Sequence, residues 1–359
     1  MGAESRRVYS VAPIRRPLRS VRDASDATSS ARDRERLAWA RGALACPTLV
    51  LERASFDAGF RSYWRVRGAD AQAIVMDAPP ATDDVRPWLA MGRVLAGAGL
   101  HVPAVLAEDV ARGFLLIEDL GTRGYIDVLD AGNADALFAD AIAALVVLQR
   151  IPPPPALGRY DRAFFERELG IFEEWFLHRH LGVTLDARER EAWKAIGDIL
   201  IASNLAQPQV LTHRDWMPRN LMHCAPNPGV LDFQDAVVGP IAYDPASLFR
   251  DAFVSWPQAR VEGWLRRYHE AAAAAGLPVP PWPRFARDAD LAGAQRHLKI
   301  LGIFARLHHR DGKPKYLVDA PRFLRYLLDA IARHPELAPL GALLDTRVLP
   351  RIAAADAAA

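Results

Sequence analysis

The order of apolar and polar positions divides the chain into a part that favours strands and a longer part that favours helices. Between residues 48 and 118, short runs of apolar, β-branched and aromatic residues predict strands. The runs are residues 48–51, 63–66, 73–76 and 114–117. A helical pattern at about 85–96, ended by Gly97 and Gly99, separates the last two runs. The pattern therefore predicts a small, sheet-rich lobe over residues 37–117.

After Gly121 the apolar positions recur with a helical period. The predicted helices are residues 137–148, 190–205, 258–275, 288–308 and 321–333. Four large apolar residues share one face of a further helix, and we expect them to form core rather than a ligand site. They are Phe165, Leu169, Phe172 and Phe176. We expect a connection at 118–121, a larger helical lobe at 122–345 and a tail at 346–359.

Composition narrows the class of protein. A chain of 359 residues has room for about two domains, and 51% hydrophobic with 25% charged residues is typical of a globular protein. The net charge of +2 gives no argument for nucleic acid or a membrane surface. The two cysteines, Cys46 and Cys224, exclude a disulfide scaffold and favour a reducing compartment, so we expect a cytoplasmic protein. No apolar run reaches the roughly 20 residues of a membrane span.

The first 36 residues have a different composition from the remainder. They contain many arginines and serines and few large apolar residues, which predicts a disordered extension over residues 1–36. An organellar transit peptide would share the arginines and serines, but Asp23, Asp26 and Asp33 argue against one.

The main chemical signal is the segment His213–Asn220, with Asp232 twelve residues beyond it. It has the form H-x-D-x-x-x-x-N followed by D-F, the spacing used for phosphoryl transfer. Asp215 is the candidate catalytic base, because a carboxylate can orient an attacking hydroxyl and accept its proton. Asn220 and Asp232 are candidate Mg²⁺ ligands, since this cation prefers oxygen ligands. A sheet-rich lobe, a short connection and a helical lobe with this motif predict an α+β, two-lobed protein-kinase-like fold.

Four neighbouring residues are expected to support the catalytic loop. His213 is interpreted as a brace rather than a chemical group. Arg214 either stabilises phosphoryl charge or pairs with an acid such as Asp235 or Asp244, and we favour pairing. Asp235 is open between a second metal ligand and a loop support, whereas Asp244 is interpreted as structural.

Nucleotide-binding residues are predicted on the small lobe and the connection. Residues 55–63 lie between two predicted strands, where Ser55, Gly59 and Ser62 could contact phosphate. Backbone groups near Glu118 and Leu120 are candidates for adenine.

One part expected of a kinase small lobe is missing. The third predicted strand has no lysine, and no lysine precedes Lys194 anywhere in the chain. We expect Arg61 or Arg65 to hold the phosphates instead, although arginine and lysine are not equivalent.

A basic segment extends from Arg296 to Lys315, with Asp311 as its only acid. One interpretation is a solvated helix face. The other is an acceptor pocket for a neutral or anionic substrate. The candidate acceptor-binding residues are Arg306, His309 and Arg310.

These motifs resemble the aminoglycoside phosphotransferase-like family, over roughly residues 40–345. The resemblance implies the protein-kinase-like fold, ATP and Mg²⁺ as cofactors, Asp215 as base, and Asn220 and Asp232 as metal ligands. Residues 76–80, 230–244 and 298–314 are similar to one branch, the kinases that phosphorylate C1 of N-acetylmuramate and N-acetylglucosamine in bacterial cell-wall recycling.

The resemblance thus implies a sugar 1-kinase with a small-molecule sugar as partner, acting on neither nucleic acid nor membrane. Two alternatives remain open from the residues. One is a kinase for another small alcohol, such as an aminoglycoside or a choline-like amino alcohol. The other is a nucleotide-binding pseudokinase, suggested by the missing lysine.

Overall fold

The computed structural model describes residues 30–54 and 61–358. The small lobe is a five-stranded antiparallel sheet in the order β1-β2-β3-β5-β4. The strands are β1 (Val50–Arg53), β2 (Ser62–Arg67), β3 (Ala73–Asp77), β4 (Val105–Asp109) and β5 (Phe114–Glu118). The central strands β3 and β5 are almost wholly buried, which accounts for their continuous apolar runs.

Helices cover the small-lobe sheet. Helix α1 (Ala31–Ala43) begins at Ser30, which forms a capping box with Asp33. Arg36 on α1 is 4% exposed and pairs with Asp77 at 2.8 Å, so α1 is tied to the end of β3. Helix α2 (Val85–Gly97) follows β3, as the sequence predicts.

Two expectations for the small lobe need correction. Residues 31–36 are helical, so the predicted disordered extension does not reach residue 36; residues 1–29 lie outside the described part. The charged residues at 31–36 had suggested disorder, but Arg32 and Arg36 form ion pairs with Asp77 of β3. Strand β4 was not predicted because it is an edge strand whose residues are mostly exposed and lack an apolar run.

The larger lobe is mainly helical. Its α-helices are α3 (Tyr125–Val128), α4 (Ala134–Arg150), α5 (Arg162–Ile171), α6 (Ala187–Leu205), α7 (Tyr243–Phe249), α8 (Gln258–Ala274), α9 (Trp282–His309), α10 (Ala320–Arg333), α11 (Ala338–Leu343) and α12 (Leu349–Ala358). Its strands form two short antiparallel pairs: β6 (Gln209–Thr212) with β9 (Val237–Pro240), and β7 (Leu221–Met222) with β8 (Gly229–Val230).

The chain also contains 3₁₀ and π turns, which adjust the ends of these helices. The 3₁₀ turns are Pro218–Asn220, Pro314–Asp319 and Pro335–Leu337. The π-helical segments are Phe172–His180 and Leu344–Val348.

The start of the predicted tail is held against the large lobe. Val348 is fully buried, and Arg347 pairs with Glu189 of α6 at 2.5 Å.

Helix α9 is the central element of the large lobe. It packs against the π-helical segment Phe172–His180, and the predicted core residues Phe165, Phe172 and Phe176 are fully buried there. A Cβ atom on Gly302 would lie only 2.5 Å from backbone atoms of Ile171. The close crossing of the two elements therefore requires glycine at this position.

Contacts between the lobes place the catalytic segment. Phe233 packs its ring against Trp88 of α2, with ring centroids 5.0 Å apart. His101 forms an isolated bridge with Gly229, and Val230 N donates to His101 O at 2.7 Å. Across residues 30–54 and 61–358, the helices are all too short or too polar to cross a membrane.

Candidate active site

The predicted catalytic loop follows β6 directly and is fixed by the carboxylate of Asp244. Asp244 is fully buried at the start of α7, and accepts hydrogen bonds from His213 N at 2.7 Å and Arg214 N at 2.8 Å. On the other side, His213 Nε2 lies 3.0 Å from Leu231 O. Arg214 has φ +74°, a strained conformation that these amide contacts stabilise.

Hydrogen bonds within the loop hold Asn220 and Asp232 near Asp215. Asn220 Nδ2 donates to Asp215 O at 2.9 Å, and Leu231 N donates to Asn220 O at 2.9 Å. Asp232 has φ +63°, and its Oδ1 accepts a hydrogen bond from Gln234 Nε2 at 2.8 Å. Because Phe233 is packed on α2, the position of the Asp232 carboxylate depends on that helix.

The donor set here fits a divalent, oxygen-preferring cation. The Nδ2 atom of Asn220 is used within the loop, so the Oδ1 atom is the one left to bind a metal. Desolvation and the nearby Asp215 carboxylate raise the pKa of Asp232. Within the described part of the chain, no three His, Cys, Asp or Glu residues converge as a metal site. A Mg²⁺ held by one or two protein ligands plus phosphate oxygens is consistent with this set.

Three cations act on the carboxylate of Asp215. Burial alone would raise its pKa, but Lys299, Arg296 and Arg214 together hold the pKa of Asp215 below its ordinary value. The half-buried carboxylate is therefore ionised at neutral pH. An ionised carboxylate can accept a hydrogen bond from a substrate hydroxyl.

Glu168 organises these cations and was missed by the sequence analysis. It is 4% exposed, and its carboxylate binds Lys299 Nζ at 2.8 Å, Arg214 Nη2 at 3.1 Å and Gln295 Nε2 at 2.9 Å. Tyr160 donates a further hydrogen bond to it. The signal in the sequence was an acid at a position that otherwise belongs to the apolar face of α5, between Phe165 and Phe172.

The structure gives Arg214 a different partner from those expected. Its guanidinium binds Glu168, while Asp235 contributes only a backbone carbonyl at 3.2 Å and Asp244 binds only its amide. Pairing is therefore observed, but Glu168, distant in sequence, supplies the acid. The Asp235 side chain is exposed beside Asp232.

The predicted phosphate-binding residues lie partly outside the described residues, namely Ser55 and Gly59. Arg61 binds Asp83 at 2.5 Å, and Arg65 binds Asp119 at 2.5 Å. The hydroxyl of Ser62 accepts from Trp64 Nε1 at 2.9 Å. Both arginines that could replace the missing lysine are thus held by carboxylates.

The connection between the lobes begins where β5 ends, at Glu118. Its carboxylate accepts from Ala104 N at 3.2 Å, so the side chain supports the turn before β4. Leu120 is 8% exposed. The backbone near these two residues stays the predicted contact for adenine.

The candidate acceptor residues Arg306, His309 and Arg310 are not brought to Asp215. They lie seven to eleven positions beyond Lys299, about 10–16 Å along α9 at 1.5 Å per residue. His309 Nε2 lies 3.3 Å from His180 Nδ1, and Arg310 pairs with Asp311 at 2.6 Å. The helix length therefore separates these three residues from Lys299, the residue of α9 that acts on Asp215.

Comparison with known proteins decides the family. A model of the phosphotransferase enzyme family matches residues 50–286. The chain belongs to this phosphotransferase family. The N-acetylmuramate/N-acetylglucosamine kinase of Pseudomonas putida is 54% identical over 299 residues, covering 83% of this chain and 88% of that one. The enzyme of the same name from Neisseria meningitidis is 44% identical over 297 residues, covering 81% of this chain and 88% of that one.

Solved structures of more distant phosphotransferases share the fold. The ADP-bound aminoglycoside phosphotransferase APH(2'')-Ib superposes with a TM-score of 0.56 at 17% identity, covering 83% of this chain and 99% of that chain. A choline kinase from Cryptosporidium parvum gives a TM-score of 0.58 at 12% identity, covering 88% and 97%. The protein-kinase-like fold and the family predicted from the sequence are confirmed. The phosphotransferase is therefore an enzyme that transfers phosphate to a hydroxyl group.

Proposed function

We propose that this phosphotransferase uses ATP and Mg²⁺ to phosphorylate the C1 hydroxyl of N-acetylmuramate or N-acetylglucosamine. The observation that carries the proposal is the 54% identity to an N-acetylmuramate/N-acetylglucosamine kinase across 88% of that enzyme. At such identity, extending over both lobes, the acceptor site is expected to be shared as well as the catalytic loop. The names of the bacterial relatives support a role in cell-wall recycling, and the reaction is proposed to take place in the cytoplasm.

Asp215 is assigned as the group that orients the acceptor hydroxyl. Its carboxylate accepts a hydrogen bond from the hydroxyl and takes the proton as the oxygen attacks phosphorus. The surrounding cations keep Asp215 ionised but also make it a weak base. A weak base suits an anomeric hydroxyl, which is more acidic than an ordinary alcohol because the ring oxygen withdraws electron density.

Asn220 and Asp232 are assigned to hold Mg²⁺. When bound, Mg²⁺ would supply positive charge that offsets the negative charge of the nucleotide phosphates. The residues of the chain contribute orientation: Asn220 is fixed by Asp215 O, and Asp232 by Gln234 and by the packing of Phe233. His213, Arg214 and Asp244 keep the loop in shape, and Asp235 lies beside the proposed metal.

Arg61 is our candidate for the phosphate contact normally made by the missing lysine. The third strand, β3, is where a kinase small lobe usually has its lysine. Met76 on this strand is fully buried and provides no charge. Arg61 interacts electrostatically with Asp83 and with Asp235, close to the proposed metal side. Arg65 is less suitable because Asp119 and Gly121 O hold its guanidinium beside the interlobe connection.

The charges near Asp215 favour a sugar over the cationic acceptors of other branches. Three cations lie near Asp215 and Glu168 offsets part of their charge, so the remaining positive charge would repel an aminoglycoside or a choline-like acceptor, whereas a neutral or anionic sugar avoids this repulsion.

A panel of acceptors tests the proposal. Purified protein is incubated with Mg-ATP and, in parallel, N-acetylmuramate, N-acetylglucosamine, choline or kanamycin, and ADP release is measured. We expect release with the two sugars only. Release with choline or kanamycin but neither sugar would contradict the proposal in favour of another small-alcohol kinase. Binding of Mg-ATP without release on any acceptor would favour a nucleotide-binding module.

A further inference from the structure

The catalytic loop and the segment that carries Asp232 leave the same pair of strands. Thr212 at the end of β6 pairs with Val237 at the start of β9. Arg214 lies two residues after this pair on one side, and Asp235 lies two residues before it on the other. The two segments therefore start side by side, and contacts beyond the strand ends decide how far apart they lie.

The guanidinium of Arg214 joins these two segments. Its Nη1 atom donates a hydrogen bond to Asp235 O at 3.2 Å. Asp235 belongs to the tight turn that directly follows Asp232, and a hydrogen bond from Ala236 N to Phe233 O at 3.2 Å closes this turn. Arg214 thus ties the catalytic loop to the turn beside a proposed metal ligand.

The second nitrogen of the same guanidinium binds the carboxylate of Glu168 on α5. Arg214 Nη2 lies 3.1 Å from Glu168 Oε1, and the two side chains are only 14% and 5% exposed. Lys299 Nζ binds the same oxygen atom at 2.8 Å. Because two cations meet at one carboxylate oxygen, loss of the Glu168 charge would make them repel each other and would displace Arg214.

Both joined segments contain a residue in a strained backbone conformation. Arg214 has φ +74° and Asp232 has φ +63°, a region that residues other than glycine rarely adopt. Such conformations persist only where the surrounding structure fixes them. The contacts that Arg214 makes with Glu168 and with Asp235 O therefore act where the backbone needs support from outside the loop.

We propose that Glu168 is a positioning residue for the metal site. Acting through the Arg214 guanidinium, its carboxylate holds the turn after Asp232 against the catalytic loop, so that Asp232 and Asn220 face a single cation. This inference rests on the proposed function, because it takes these two residues as the Mg²⁺ ligands. Mg²⁺ requires ligand oxygens at about 2.0–2.1 Å in near-ideal octahedral geometry, so a small shift of one ligand weakens binding.

A purely structural role for Glu168 would have a different consequence. Its carboxylate also accepts hydrogen bonds from Gln295 Nε2 at 2.9 Å and from Tyr160. These contacts tie α5 to α9 and to the chain before α5 without touching the catalytic loop. If they alone mattered, Glu168→Gln would lower stability and leave the metal affinity of the folded protein unchanged.

The test measures metal affinity directly and needs no acceptor. Mn²⁺, which like Mg²⁺ suits oxygen ligands, is titrated into the purified protein with saturating ADP, and the complex of all three is quantified by electron paramagnetic resonance. We expect the Kd for Mn²⁺ to rise about 10- to 100-fold in Glu168→Gln, as for other residues that orient a metal ligand. The control Glu166→Gln removes a charge from an exposed position on the same helix, and should change this Kd less than about threefold.

A second variant separates the contact with the turn from overall stability. Arg214→Lys keeps a positive charge beside Glu168, but its single nitrogen cannot replace two nitrogen atoms that bind different partners. Its urea unfolding midpoint should lie nearer to that of the wild type than the midpoint of Glu168→Gln does. Its Kd for Mn²⁺ should nevertheless rise about 10-fold or more. This variant carries the test if Glu168→Gln does not fold.

Two results would overturn the inference alone. An unchanged Kd for Mn²⁺ in folded Glu168→Gln would confine Glu168 to stability. An unchanged Kd in Arg214→Lys would mean that the guanidinium does not hold the turn after Asp232. A wild type that binds Mn²⁺ with ADP but phosphorylates neither acetylated sugar would overturn the proposed function and not this inference, whereas a wild type that binds no Mn²⁺ with ADP would overturn both.

Discussion

The two ends of the basic segment on α9 have the same kind of sequence but different surroundings. Arg296 and Lys299 are 2% and 8% exposed, and both act on Asp215. Arg306, His309 and Arg310 lie toward the C-terminal end, where Arg310 is 56% exposed and pairs with its neighbour Asp311. An exposed pair of that kind contributes about 0–1 kcal/mol to stability.

This difference teaches that a basic run in a long helix is not one functional unit. Helix rise alone separates its ends by about 15 Å or more, so one end reaches the catalytic loop and the other reaches solvent. The cations that matter are those whose counter-charge comes from another element, here Glu168 on α5. We call the end with Arg296 and Lys299 the inner end and the end with Arg306, His309 and Arg310 the outer end. The predictions below test whether function is confined to the inner end.

The largest effect is expected at Asp215, the carboxylate on which the cations of the inner end act. Asp215→Asn keeps the shape of the side chain but removes the base, and kcat should fall by about 10²–10⁴-fold or more. The KM for Mg-ATP should change little, and circular dichroism should show an unchanged fold. A folded Asp215→Asn enzyme with near-normal kcat would remove the base assignment.

The next effect concerns the acid that holds the inner cations. Glu168→Gln leaves Lys299 and Arg214 without a counter-charge, and the free energy of unfolding at pH 7 should fall by about 3–5 kcal/mol. Its matched control is Glu166→Gln on the same helix, an exposed pair with Arg162 at 3.4 Å, expected to cost about 0–1 kcal/mol.

The pH dependence sharpens the Glu168 prediction. Despite burial, Lys299 and Arg214 hold the pKa of Glu168 below its ordinary value. Its stabilising contribution is therefore present above the unfolded value near 4.5 and is lost as pH falls through the lower, folded value. Urea unfolding of both forms should show the difference between wild type and Glu168→Gln shrinking under acid. A difference that stayed constant down to low pH would rule out the ion pairs as its cause.

A smaller effect is expected where α9 crosses Ile171, between its two ends. Gly302→Ala places a Cβ atom 2.5 Å from the Ile171 backbone, and overpacking of this kind should lower the free energy of unfolding by about 1–3 kcal/mol. The control Gly263→Ala lies on α8 with nothing within 4 Å of its added Cβ, and should be neutral or stabilising by up to about 1 kcal/mol. Equal melting temperatures for the two variants would show that the crossing is not tight.

The smallest effect is expected at the outer end. Burial and the neighbouring histidines lower the pKa of His180 and His309, so the unfolded chain takes up protons first as pH falls below about 6.5, and stability is lost there. His309→Gln should therefore lose less melting temperature than wild type between pH 7.5 and 5.5, both read by differential scanning fluorimetry at those two pH values. Its kcat/KM for N-acetylglucosamine should stay within about twofold. A large rise in KM would return acceptor binding to the outer end.

Local spacing made part of this site predictable. Asp215, Asn220 and Asp232 are separated by short, fixed intervals, so one loop and the following strand necessarily bring them near each other. The buried face of α5 was predicted from the helical spacing of its large apolar residues. In the same way, the main helices were placed within a few residues of their observed bounds.

The remainder depended on tertiary contacts that spacing does not encode. Glu168 meets Lys299 across 131 positions, and Arg65 meets Asp119 across 54. Helix α1 looked disordered because its charges are paired with Asp77 on another element. The helix that carries the basic residues was predicted over residues 288–308, but which of its ends lies beside the catalytic loop depended on contacts such as that of Lys299 with Glu168.

The central claim is that Asp215 orients the anomeric hydroxyl of an N-acetylated hexosamine for transfer from ATP. The most direct measurement is ³¹P NMR of the enzyme with Mg-ATP and N-acetylglucosamine or N-acetylmuramate. The account predicts a new acid-labile sugar phosphate signal, coupled to the proton on C1 and absent with Asp215→Asn. A signal coupled to any other sugar proton, or none from a protein shown to bind Mg-ATP, would contradict it.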